Sequence, residues 1–89
     1  MIGVVSIGVT PTASSYVSPF TYYANVDITN KIPSGYSLFG VLGNSNNESA
    51  PMAYSTGYSA NKYYLRVWAM NNALRGFNLL LVKQFHDFT

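Results

Sequence analysis

Apolar residues in this chain recur at every second position, and that period admits strands and little else. Between residues 20 and 29 the even positions are Phe20, Tyr22, Ala24, Val26 and Ile28. The odd positions are Thr21, Tyr23, Asn25, Asp27 and Thr29. Such a run predicts a half-buried strand with one apolar face. Val5, Ile7 and Val9 predict a shorter strand near the start. Tyr36, Leu38, Gly40 and Leu42 alternate with Ser37, Phe39 and Val41, which predicts a strand covered on both faces. Tyr63, Leu65, Val67 and Ala69 alternate with Tyr64, Arg66, Trp68 and Met70. Residues 77–82 are nearly all apolar, as expected of a central strand in a two-layer core. Residues 52–59 read as one more strand, interrupted at Gly57. No window carries the i, i+3, i+4, i+7 spacing of a helix.

Turn-forming residues separate these runs. Residues 11–19 are rich in Ser, Thr and Pro and read as a loop. Residues 30–35 read as a turn, with Pro33 and Gly35 supplying its backbone angles. Residues 43–51 form a polar loop, and residues 71–76 read as a hairpin connection whose final Gly76 can take positive φ. The expectation is one all-β domain over residues 1–89: a small antiparallel β-sandwich, jelly-roll-like, with about six to eight strands.

Eighty-nine residues bury a limited share of their surface, and small domains usually lean on disulfides, metals or oligomerisation. The chain has no cysteine, which excludes disulfides and thiolate metal sites. Oligomerisation remains, and the charge content agrees with it. Only 9% of residues are charged, against roughly 25% in ordinary domains. The five cations, Lys31, Lys62, Arg66, Arg75 and Lys83, are dispersed rather than clustered as in nucleic-acid binders. Nucleic acid is therefore not an expected partner. Membrane insertion is not expected either, since no stretch approaches the ~20 apolar residues of a spanning helix. The apolar start, Met1 to Val5, lacks a basic n-region and breaks at Ser6, so it is not read as a signal peptide. The missing cysteines suit a reducing cytosol or a particle assembled there.

Catalytic residue types are scarce. The one histidine, His86, lies close to the last residue, where a general base is poorly held. The carboxylates Asp27, Glu48 and Asp87 show no spacing that would pair them for acid–base work. The glycines fit no phosphate-binding template. Asn47-Glu48-Ser49 matches a glycosylation sequon, which without a secretory signal reads as accidental. The expectation is a protein that is not an enzyme and has no catalytic residues, metal ligands or cofactor.

Binding residues are more evident. If Tyr63, Leu65, Val67 and Ala69 face the core, then Tyr64, Arg66, Trp68 and Met70 face outward. Trp, Tyr and Arg are enriched at interface hot spots. An outward Trp also suits sugar recognition, its face packing on a pyranose ring. With the register reversed, Trp68 would instead be core. If it is outward, subunit contact ranks ahead of glycan contact, because so short a chain needs burial. Two polar loops are further candidates: residues 12–18, and the stretch carrying Asn44, Asn46 and Asn47. Each reads equally as an ordinary solvated turn.

The order of these segments carries a resemblance. An alternating strand is followed by the turn Ile32-Pro33-Ser34-Gly35-Tyr36 and a mixed strand. A polar loop, the run from Tyr63 to Met70, an Asn-rich turn and a closing apolar strand complete it. From about Phe20 to Lys83 this resembles the C-terminal β-sandwich domains of bacteriophage tail-fibre, baseplate and receptor-binding proteins. The resemblance implies a homotrimer on a virion, assembled in the host cytoplasm, contacting other virion proteins and a cell-surface saccharide. A decoration or assembly protein without a glycan ligand, and a cellular carbohydrate-binding module, are the alternatives.

Overall fold

The computed structural model describes residues 2–44 and 52–83. Seven strands run in chain order: β1 (Ile2–Val9), β2 (Ala13–Ser14), β3 (Tyr22–Asp27), β4 (Tyr36–Asn44), β5 (Met52–Ser59), β6 (Lys62–Ala69) and β7 (Arg75–Lys83). They form two antiparallel sheets, ordered β1-β7-β4 and β2-β3-β6-β5. The chain is an all-β sandwich. Its first and last strands pair, and β3 pairs with the penultimate strand β6, which is a jelly-roll-like nesting.

Both central strands turn their alternate residues inward. Leu65, Val67 and Ala69 of β6 are buried, as are Phe77, Leu79 and Leu81 of β7. Val9 and Ile28 complete this layer, and Ala24, Val26, Val5, Ile7 and Leu38 pack around it. Each fully buried aliphatic or aromatic side chain contributes about 1.5–3 kcal/mol relative to exposure. The apolar run of β7 is accounted for differently from a strand covered on both sides. Leu80 and Val82 lie on the outer face, half-buried, with no layer of the described residues above them.

The two-sided pattern of β4 has a local cause. Leu38 opposes Leu81 and Gly40 opposes Leu80, so Phe39 is a bulge with no partner. One extra residue inverts the alternation. Tyr36 and Leu38 point inward before the bulge, and Val41 does so after it. Leu42 and Phe39 are left exposed. At the same edge, Gly43 N–H donates to the Tyr54 hydroxyl at 2.9 Å, and the Tyr54 ring meets Phe77 edge-on at 5.3 Å. A Cβ on Gly43 would stand 2.7 Å from Met52 and 2.8 Å from Tyr54, so this bridge between the sheets requires glycine.

Two turns follow the sequence closely. Tyr36 N–H bonds the Pro33 carbonyl across Ser34 and Gly35, whose φ of +86° is the type II requirement. Ala60 and Asn61, both at positive φ, join β5 to β6 as a two-residue hairpin. β5 runs unbroken through Gly57.

The segment between β6 and β7 is not a hairpin. Those strands belong to different sheets, so residues 70–74 cross the sandwich. Gly76 lies within β7, and Gly35 is the glycine at positive φ among the described residues. The crossing is pinned by Arg75, whose side chain is fully buried. Its Nη2 donates to Asn71 Oδ1 at 2.6 Å and its Nε to the Ala73 carbonyl at 3.3 Å. The same Asn71 oxygen accepts the Ala73 N–H at 3.1 Å. A buried guanidinium deprived of an acceptor is costly. Asn71→Ala is expected to lower stability by about 2–3 kcal/mol in urea denaturation.

Candidate functional site

The inward alternation of β6 decides the position of Trp68. With Leu65, Val67 and Ala69 in the core, Tyr64, Arg66 and Trp68 face outward, on the open face of the four-stranded sheet. Trp68 stands directly opposite Tyr23 of β3, and their rings tilt together with centroids 5.5 Å apart. Both remain half-buried.

The loop of residues 12–18 reaches this pair. Its first part forms β2, which pairs with β3 at Ala13↔Tyr23 and Ser14↔Tyr22. Ser15 N–H then bonds the Thr21 carbonyl at 3.1 Å, and Ser15 Oγ accepts Val17 N–H at 3.0 Å. Phe20 N–H closes the turn on the Val17 carbonyl at 2.8 Å. Thr21 ties the loop to the end of β6, bonding the Ala69 carbonyl through its amide and the Met70 carbonyl through its hydroxyl. A cleft of about 240 Å³ results, walled by Ser14, Ser15, Tyr16 and Val17 and floored by Tyr23 and Trp68. Tyr16 is 99% exposed and stands at the rim. The floor is aromatic and the lining mostly apolar: Ser14 shares its face with Tyr22 rather than Tyr23, and Ser15 Oγ is held by Val17. None of the lining residues is a carboxylate or an imidazole.

The other expected site residues are distributed along and beyond this face. Arg66 sits in a row with Asn25 and Ser55, one step along from Trp68. Tyr64 lies in the next row, between Asp27 and Gly57. Met70 is exposed past the end of β6 and does not line the cleft. Asn44 belongs to the other sheet, opposite Gly76, so the fold does not bring it to Trp68. Asn46 and Asn47 lie outside the described residues, as do Glu48, His86 and Asp87. Among the described residues no three His, Cys, Asp or Glu side chains gather as a metal site. Sequence reasoning treated residues 12–18 and Trp68 as separate candidates. The alternation of β3 placed Tyr23 outward, which was the available signal that the two would meet.

A second cleft, about 270 Å³, opens between β4 and β5 where the bulge parts the sheets. Its walls include Leu38 and Tyr63, which also pack on the core. Thr56 and Tyr58 also line it, so polar and apolar groups share its walls, and none of them is charged.

Charge on the four-stranded face is partly settled by local contacts. Asp27 Oδ1 accepts the Thr29 N–H at 3.0 Å, and Asp27 Oδ2 lies 3.9 Å from Lys62 Nζ. Hydrogen bonding from the Thr29 side chain and amide, with a smaller contribution from Lys62, holds its carboxyl below the ordinary 3.8. Thr29 Oγ1 also accepts Tyr63 N–H at 2.9 Å, so this knot fixes the start of β6. A depressed folded-state pKa contributes stability above the unfolded value that is lost as pH falls through the folded one. Wild-type Tm is therefore expected to drop on acidification below about pH 4 more steeply than that of Asp27→Asn, as read by circular dichroism.

No known protein family, no curated protein and no solved structure matches this chain.

Proposed function

We propose that this chain is a non-enzymatic, oligomeric module of a bacteriophage virion that recognises a host-surface saccharide. The observation that carries the reading is Trp68: it lies outside the core, tilted against Tyr23, as the floor of a mostly apolar cleft with the Tyr16 hydroxyl at its open side. An aromatic floor packs on the apolar face of a pyranose while hydroxyls take its polar edge. Jelly-roll sandwiches host both capsid and lectin domains, which supports the reading by analogy of fold.

The opposite face supports assembly. On the three-stranded sheet the outward residues include Val4, Ser6, Leu42, Asn78, Leu80 and Val82. None is charged, and Val4 and Leu42 are more than half exposed. Ser6 Oγ donates to Asn78 Oδ1 at 2.7 Å, so these polar groups already have a partner on the face itself. Burial of this face against further copies, a trimer by the fibre-tip resemblance, removes apolar surface without desolvating an ion. The same face favours a second reading, a decoration protein that docks on the virion and binds no glycan.

A glycan array with wild type and Trp68→Ala separates the two readings. Saccharide binding that disappears in the variant, with its melting curve unchanged, is the expected result, and an array with no wild-type signal leaves the decoration reading. Light scattering is expected to give about three times the 9.8 kDa chain mass. Leu80→Lys, which buries an ammonium in the contact, is expected to lower that mass to one chain. A monomeric wild type ends the assembly proposal.

A further inference from the structure

Beside the Trp68 cleft is a cation whose role the fold itself does not use. Arg66 is the next outward residue along β6, about 7 Å from Trp68 by strand spacing. It is exposed. The one described carboxylate on this face, Asp27, is diagonal to it, and Thr29 and Lys62 hold that group instead. Arg66 leans the other way, across β5. Its Cζ, Nη1 and Nη2 all lie 3.8–3.9 Å from where a Cβ on Gly57 would stand. Gly57 is thus the vacant position that lets the guanidinium lie over the sheet. Among the described residues no hydroxyl, carbonyl or carboxylate accepts from it. Asn25 and Ser55 flank it in register on the neighbouring strands.

We infer that the saccharide bound at Trp68 is acidic, and that Arg66 receives its carboxylate. The inference rests on the saccharide reading above. A guanidinium presents a fork of donors that matches a carboxylate bidentately. A neutral sugar hydroxyl uses only part of that fork. An oligosaccharide that seats one pyranose on the Trp68–Tyr23 floor and runs along β6 passes over Asn25 and Ser55 and meets the guanidinium one row further on, over Gly57. The aromatic floor supplies contact area, and Arg66 supplies the choice between charged and neutral chains. Because the site is exposed, the choice is moderate and weakens with salt.

The test titrates wild type, Arg66→Gln and Lys62→Gln with an oligouronate, and with the same oligosaccharide after reduction of its carboxylates to alcohols. Calorimetry gives the affinities, and fluorescence of Trp68, the sole tryptophan, reports occupancy of the cleft. Wild type is expected to bind the oligouronate about fivefold more tightly at low salt. Arg66→Gln is expected to lose that preference while binding the reduced sugar unchanged, and Lys62→Gln to retain it. Equal wild-type affinity for the two sugars overturns the inference and leaves the saccharide reading standing. A preference that survives in Arg66→Gln, or disappears equally in Lys62→Gln, overturns the assignment to Arg66. If wild type binds neither sugar and an array of neutral glycans is also blank, the saccharide reading fails and takes the inference with it.

Discussion

Everything in this molecule depends on two successive strands, each central to its own sheet, keeping the same alternation. Leu65, Val67 and Ala69 of β6 face Phe77, Leu79 and Leu81 of β7 across the middle of the sandwich. A shift of either strand by one residue would carry its whole apolar row to the outside. Register is strongly specified in β6, whose other row is polar and aromatic, and the same specification turns Trp68, Arg66 and Tyr64 outward. The candidate site is the reverse side of the core. No separate device aims these side chains, and the only additional construction is the loop that walls the cleft.

Much of this was legible in the sequence because period two reports directly which residues share a face. The inward row of β6 predicted the outward row, and Gly35 predicted its turn. The misreadings have distinct physical origins. In β4, an extra residue at Phe39 made a one-sided strand look two-sided, since periodicity is silent about bulges. Between β6 and β7, an Asn-rich segment ending in Gly76 resembled a hairpin, because turn chemistry does not say which sheet the next strand joins. Nor does it show that Arg75, one of a few scattered cations, is buried as the fastening of that crossing. The meeting of residues 12–18 with Trp68 depends on pairing between strands far apart in sequence, which composition does not encode.

The scarcity of charge takes on spatial meaning in the fold. Asp27, Lys62 and Arg66 all project from the four-stranded sheet. The outer face of the three-stranded sheet carries no charge among the described residues. One side of the sandwich suits water and a polar ligand, and the other suits apolar contact. A single low charge count thus resolves into two surfaces of different character.

The pairing of β1 with β7 has a consequence for how the protein is made. A ribosome delivers Ile2 long before Leu81, yet Val4 and Leu80 are register partners, as are Val5 and Leu79. Until β7 emerges, β1 has no neighbour in its sheet, and Phe77, Leu79 and Leu81 are missing from the core. The nascent chain can form the β5–β6 hairpin and lay β3 beside it, but the three-stranded sheet must wait for its middle strand. Such non-local pairing folds slowly and leaves unpaired edges exposed meanwhile. β1, with no charge and no proline to discourage mispairing, is the segment most in need of shelter during that interval.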